Sequence, residues 1–218
     1  MTRTAILVSG GGTNLQAILD AHLFGELPGC ELTAVISSNP EAYALERARR
    51  ANVPAYVVDV HSFPNRASFC NALRGKLEDL DIELVVLAGF LYVLDAPTVN
   101  RFKNRIINIH PALIPSFCGD GCYGLEVHRR ALAYGVKVSG ATAHFVTEEC
   151  DAGPIILQKA VPVEEGDTPQ TLQRRIMEQA EWRILPEAVK LFCQGRLTVD
   201  GRNVHIAPEA PAGEENPQ

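Results

Sequence analysis

The chain has 218 residues, 46% of them hydrophobic, and a formal net charge of -6, which fits one well-filled soluble domain and argues against a broad electrostatic footprint for DNA or RNA. No apolar run approaches the ~20 residues that span a bilayer, and "MTRTAILVSGGG" breaks into glycines after one strand's length of apolar residues, unlike a signal peptide. A cytoplasmic protein with no membrane and no nucleic-acid partner is the expectation.

Short β-branched runs alternate with amphipathic segments along the first half: residues 4–9 then 14–25, 31–38 then 41–52, 54–60 then 66–80, 83–90 then 96–104, and 105–110 as a further strand. Strand and helix in alternation predict right-handed crossovers, and hence an α/β fold with a mostly parallel, twisted sheet and helices on both faces. Residues 111–124, rich in glycine and proline, are too long for an ordinary connection and read as a functional loop. A helix over 126–135, strands over 137–146 and 154–163, and one long amphipathic helix over 168–195 follow. Asp200-Gly201 between two alternating runs predicts a C-terminal β-hairpin. Residues 1–207 are expected to form a single domain, and 208–218, proline-rich and acidic, a disordered tail. The six scattered cysteines are expected to be reduced thiols. Cys118 and Cys122 lack the second ligand pair of a structural zinc site and read as two loop thiols, so no metal is expected.

Three segments carry candidate chemistry. Gly10-Gly11-Gly12-Thr13-Asn14 joins the first strand to the first helix, where free backbone N–H groups and the helix dipole favour an anion. It lacks both the third glycine of a dinucleotide fingerprint and the Gly-Lys-Ser/Thr of a triphosphate loop, so a phosphate monoester suits it better. In "RIINIHPALIP", Asn108 and His110 are two residues apart and leave their strand on one side. Asp151, in the loop joining the two late strands, could fold over the same sheet edge and meet His110, where a carboxylate would favour the imidazolium. An amide, an imidazole and a carboxylate together suit acyl transfer.

The segments "ILVSGGGTNLQAIL", "VVLAGFLYVL", "INIHPALIPSF" and "GATAHFVTEECDAGPIILQ" closely resemble, in the same order, the phosphoribosylglycinamide formyltransferases, from about Thr4 to about Leu197. The resemblance implies a Rossmann-like formyltransferase fold. It implies transfer of a formyl group from 10-formyltetrahydrofolate, the co-substrate, to the amino group of glycinamide ribonucleotide in purine biosynthesis. His110 would be the catalytic acid, Asn108 the oxyanion donor and Asp151 the group that raises the histidine's pKa. Gly12, Thr13 and Asn14 would hold the nucleotide's phosphate, and Glu181 its ribose hydroxyls. Arg66, Leu91, Tyr92, Val93 and Leu94, with Asn108, match folate-binding positions. Small-molecule substrates and a monomer or homodimer are implied.

Two departures stand out. Tyr92 occupies a position where well-known members carry arginine, and the 116–124 loop is longer than the usual version. His144, two residues after Thr142, either borders the site or lies in the core. Formyltetrahydrofolate deformylase is the nearest alternative, although it normally carries an extra N-terminal domain. Methionyl-tRNA formyltransferase would need a further nucleic-acid-binding domain, and a non-catalytic nucleotide-binding module could dispense with His110 and Asp151.

Overall fold

The structure, a computed structural model, describes residues 1–209. All but the first two residues of the expected tail, 210–218, lie outside the described residues. Strands β1 (Thr2–Val8), β2 (Cys30–Ser37), β3 (Ala55–Val57), β4 (Leu84–Leu87) and β5 (Ile106–His110) run parallel. Strands β6 (Val138–Phe145) and β7 (Ile155–Pro162) continue the sheet antiparallel, giving the order β3-β2-β1-β4-β5-β6-β7. The mostly parallel sheet read from the sequence is therefore present, with its two late strands reversed.

Alternation along the central strands supplies both cores. Ile6 and Val8 of β1 join one apolar cluster and Ala5 and Leu7 the other. The first cluster is covered by α1 (Thr13–Leu23), α2 (Tyr43–Arg50), α6 (Pro169–Ile176) and α7 (Trp182–Cys193), through residues such as Leu15, Ile18, Ala48, Leu172 and Leu185. The second is covered by α3 (Arg66–Asp79) and α4 (Ala96–Arg101), with Phe69, Leu73, Leu77 and Val99. Helix α5 (Leu125–Tyr134) instead closes a small third cluster of Ala112, Cys122 and Val127 under Phe117.

The last helical segment departs from the sequence expectation. Between α6 and α7 the backbone widens into a π turn over Met177–Glu181. One inserted residue rotates all that follows by about 100°. The buried face therefore moves from Leu172 and Ile176 to Ala180 and Glu181, a phase that a single 3.6-residue period does not reveal. Pro186, buried within α7, has no N–H for the preceding turn and is tolerated there by its packing. The segment expected as a strand over 54–60 keeps only three strand residues before a 3₁₀ turn at Val60–Ser62, capped by the Asp59 carboxylate. The C-terminal hairpin is present: β8 (Leu197–Asp200) pairs with β9 (Asn203–Ile206), and Gly201 turns the chain at φ 57°.

The strand order reverses between β1 and β4, so the loops leaving their carboxyl ends diverge and open a crevice. The glycine loop follows β1, Leu91–Leu94 follows β4, and β5 ends beside them at His110. Leu91 N–H donates to Ser9 Oγ at 3.0 Å and Ser9 N–H to Gly89 O at 3.2 Å, tying the floors of the two loops together.

His128, on the inner face of α5, is fully buried and neither ring nitrogen has a partner among the described residues. Burial, helped by the nearby His110, pushes its pKa down to about 4. The fold thus requires neutral His128. The associated stability is complete above the unfolded value near 6.5 and is lost as the pH falls toward 4, by up to about 3 kcal/mol. His128→Leu, which removes the titration and fills similar space, should shrink the drop in melting temperature between pH 7 and pH 5. An equal drop in the variant, followed by circular dichroism, would assign the acid sensitivity elsewhere.

Candidate active site

Strand β5 delivers Asn108 and His110 to the sheet edge, and its partner β6 faces them with His144 and Thr142. Beyond His110 the chain is held in place by side chains. Thr142 Oγ donates to Ala112 O at 2.7 Å and accepts from Ile114 N–H at 3.1 Å. Gln158 Nε2 donates to both Ile114 O and Thr142 Oγ at 3.0 Å. Prolines 111 and 115 keep this stretch from coiling into a helix, and these bonds satisfy its backbone instead.

Asp151 reaches the same point from the β6–β7 loop. Its backbone is left-handed, at φ 54°, a conformation aspartate tolerates better than most residues. Two residues on, a Cβ at Gly153 would fall on the carbonyl of Phe145, so only glycine lets the loop close down on β6. Asp151 Oδ2 lies 3.4 Å from His110 Nδ1 and accepts from Gly119 N–H at 3.0 Å. His110 Nε2 donates to Phe117 O at 2.9 Å. His110 and Asp151 are both largely buried, at 4% and 10% side-chain exposure.

His144 is a fourth member of the cluster and not a mere core histidine. Its Nδ1–H donates to Phe145 O at 2.9 Å; Nε2 faces Asp151 Oδ1 at 3.6 Å when the ring is protonated and, when the ring is neutral, accepts from Asn108 Nδ2 at 3.1 Å. That bond fixes which end of the Asn108 amide faces the site. The second N–H of the amide makes only a long 3.5 Å contact with Asp151 Oδ1, so it remains able to donate elsewhere.

At the other end of the crevice, Asn14 Nδ2 donates to Glu181 Oε2 at 2.6 Å, bringing together two residues 167 positions apart. Both are buried, and Asn14 Oδ1 has no partner among the described residues. Burial pushes the Glu181 carboxyl up to about 7 despite the Asn14 bond. Gly12, at φ 72°, packs so closely on α2 that a Cβ would stand 2.7 Å from Ala44 Cβ. Thr13 opens α1 beside it.

Along the Leu91–Leu94 segment, Leu91 and Val93 are 64% and 45% exposed, whereas Leu94 is buried. Tyr92 turns inward, its ring 5.7 Å from that of Phe69 and 6.0 Å from that of Phe90. The Tyr92 side chain is thus spent on packing. Arg66, exposed at the start of α3 and one turn ahead of Phe69, makes no ion pair among the described residues. Cys118 and Cys122 are free thiols; Cys118 donates to Pro115 O and Cys122 accepts from Arg130. Among the described residues no cluster of metal-ligating side chains occurs.

The family described as formyl transferase matches residues 2–189. The chain belongs to the formyl transferase family. It is 39% identical over 210 residues to a phosphoribosylglycinamide formyltransferase of Haemophilus influenzae, covering 96% of each chain. It is 42% identical over 204 residues to the human trifunctional purine biosynthetic protein adenosine-3, of which it spans only 19%. Among solved structures, glycinamide ribonucleotide transformylase 1 from Symbiobacterium toebii superposes with a TM-score of 0.89 at 50% identity over 95% of each chain. A formyltetrahydrofolate deformylase from Pseudomonas syringae pv. tomato shares the fold, with a TM-score of 0.84, but at 27% identity and over 66% of that chain.

Within this formyl transferase, the electrostatics of His110 differ from the expectation in one respect. Burial dominates and draws its pKa below the ordinary histidine value; Asp151 and the Phe117 carbonyl push the other way, and His144 adds to the lowering. Asp151 therefore acts with the expected sign, but does not by itself bring the ring to a raised pKa. For Asp151, burial works upward and is outweighed by His144, His110 and the Gly119 N–H, so the carboxyl stays below its usual range and ionised. Two acceptors flank the His110 ring, and only the doubly protonated form donates to both. Asp151→Asn removes the charge and retains the shape, so the His110 pKa should fall further still, read by NMR titration of the ring. An unchanged value would leave Asp151 as a turn residue only.

Proposed function

We propose that the chain transfers the formyl group of 10-formyltetrahydrofolate to the amino group of glycinamide ribonucleotide, giving formylglycinamide ribonucleotide and tetrahydrofolate. The observation that carries this reading is the convergence of Asn108, His110 and Asp151 at the mouth of one crevice, between the glycine loop and Leu91–Leu94. The free N–H groups of Gly12, Thr13 and Asn14 suit the phosphate monoester. Glu181 and the orphaned Asn14 Oδ1 offer acceptors to sugar hydroxyls. On the folate side, exposed Leu91 and Val93 fit a flat heteroaromatic ring, and the unpaired guanidinium of Arg66 fits a carboxylate tail.

The bound folate supplies an activated formyl carbon. Asn108, through its weakly engaged N–H, and His110 donate to the formyl oxygen as negative charge develops on it. The amine nitrogen bonds to the formyl carbon, and the bond from that carbon to the folate nitrogen breaks. The proton the amine loses passes to water, and a second reaches the departing folate nitrogen. His110 is placed to deliver the second, directly or through water, and ionised Asp151 supports the protonated ring while it does so. His110 shifts from its Phe117 partner to do this, since that carbonyl accepts its Nε2 proton in the structure.

Incubation with 10-formyltetrahydrofolate, with and without glycinamide ribonucleotide, tests the reading directly. Folate turnover should require the ribonucleotide; turnover in its absence would favour the deformylase, and none in either case a binding module. Asp151→Asn and His110→Ala should each lower kcat by about a hundredfold or more, with much smaller changes in ligand affinity.

Glu181 predicts a pH dependence of nucleotide binding. Sugar hydroxyls donate best to the ionised carboxylate, so affinity should tighten as the pH rises through about 7. The substrate phosphate titrates near pH 6 and adds its own component. Glu181→Gln should leave only that component in calorimetric titrations between pH 6 and pH 8; an unaltered profile would remove Glu181 from the sugar site.

A further inference from the structure

Two consecutive peptide planes in the glycine loop are held from outside by α2. Ala44 N–H donates to Gly10 O at 3.1 Å, and Arg47 Nε–H donates to Gly11 O at 2.8 Å. In a trans peptide the carbonyl and the following N–H point in opposite directions. Drawing the Gly10 and Gly11 carbonyls toward α2 therefore turns the N–H groups of Gly11 and Gly12 away from it. Those two N–H groups, with those of Thr13 and Asn14, find no acceptor among the described residues. Asn14 Oδ1, in the same segment, is a second polar group that is buried and unpartnered among the described residues.

Arg47 is itself fixed. Nη1 donates to Gln16 Oε1 at 2.8 Å, and the guanidinium lies over the Tyr43 ring, 5.1 Å from its centroid. Its charge is not neutralised: Arg49 and Arg50 on the same helix pair with Glu46, whereas Arg47 has no carboxylate within salt-bridge distance among the described residues. A bare cation thus braces the carbonyl side of a loop whose amide side lacks acceptors.

We infer that Arg47 is a positioning residue for the substrate's phosphate: it sets the Gly12 N–H toward the anion through the Gly11 carbonyl, and its uncompensated charge raises the loop's affinity for a dianion. The inference rests on the reading of the glycine loop as the phosphate site. Lysine would restore charge there but not the planar fork that holds Gly11 O and Gln16 together.

The test compares wild type, Arg47→Ala and Arg47→Lys by titration with glycinamide ribonucleotide and with the corresponding riboside, which lacks the phosphate. Inorganic phosphate serves as competitor, and melting curves report folding. Arg47→Ala should weaken the ribonucleotide by about tenfold or more. It should leave the riboside, the formyl folate and kcat at saturating nucleotide within about twofold; Arg47→Lys should recover only part of the loss. An unchanged ribonucleotide-to-riboside ratio in Arg47→Ala would overturn the inference, and full recovery by lysine would overturn its positioning half. Should the alanine variant not fold, Arg47→Gln, which keeps one N–H donor for Gly11 O, takes its place with the same ratio as the readout. A wild-type chain that binds ribonucleotide and riboside equally, with no competition by phosphate, would instead reject the reading of the loop on which the inference rests.

Discussion

The buried contact between Asp151 and His110 is the interaction on which the rest of the candidate site depends. A carboxylate at 10% exposure is costly unless its oxygens are satisfied, and here one oxygen takes the Gly119 N–H while facing His110, and the other lies among Asn108 and His144. The partners come from three parts of the chain: β5, β6 and the 116–124 loop. Forming that environment therefore orders three segments at once. The same burial that makes the pairing necessary draws the histidine's pKa down, so the carboxylate partly offsets a penalty that its own enclosure helps to create.

Sheet topology explains why two dissimilar ligands can meet there. The crevice at the reversal of strand order has a polar end, where amide N–H groups and Glu181 collect, and an apolar rim at Leu91 and Val93. His110 lies at the end of the next strand over. A phosphate and a flat ring could thus be held at opposite ends with the reacting atoms between them, without movement of the sheet.

Much of this was legible in the sequence, and the limits have physical causes. Strand and helix alternation carried the parallel sheet, and the glycine loop and the "NIHP" segment carried their own local chemistry. Glu181 entered only through resemblance, and its bond with Asn14 was not foreseen, since no local pattern links residues 167 positions apart. The part played by His144 was half visible: alternation put it on one face with Thr142, but only the β5–β6 register sets it opposite Asn108. The contributions of Phe117 and Gly119 are made by backbone atoms, which side-chain identity does not encode. The net direction of the His110 shift depends on burial in three dimensions, which outweighs a carboxylate partner that itself acts with the expected sign. The π turn was missed because one inserted residue displaces the later apolar positions by a single step, which is within the ordinary scatter of an amphipathic pattern.

That π turn works as a phase coupler. Upstream of it the helix packs chiefly on α5 and downstream chiefly on α1, and both stretches also touch β6. The five-residue turn joins the two stretches, and it is where Glu181 emerges against Asn14. Shortening the turn by one residue would leave an unbroken helix and a misaligned joint, with either half forced to surrender its contacts. The irregularity is thus the joint between two stretches of helix that serve one shared core.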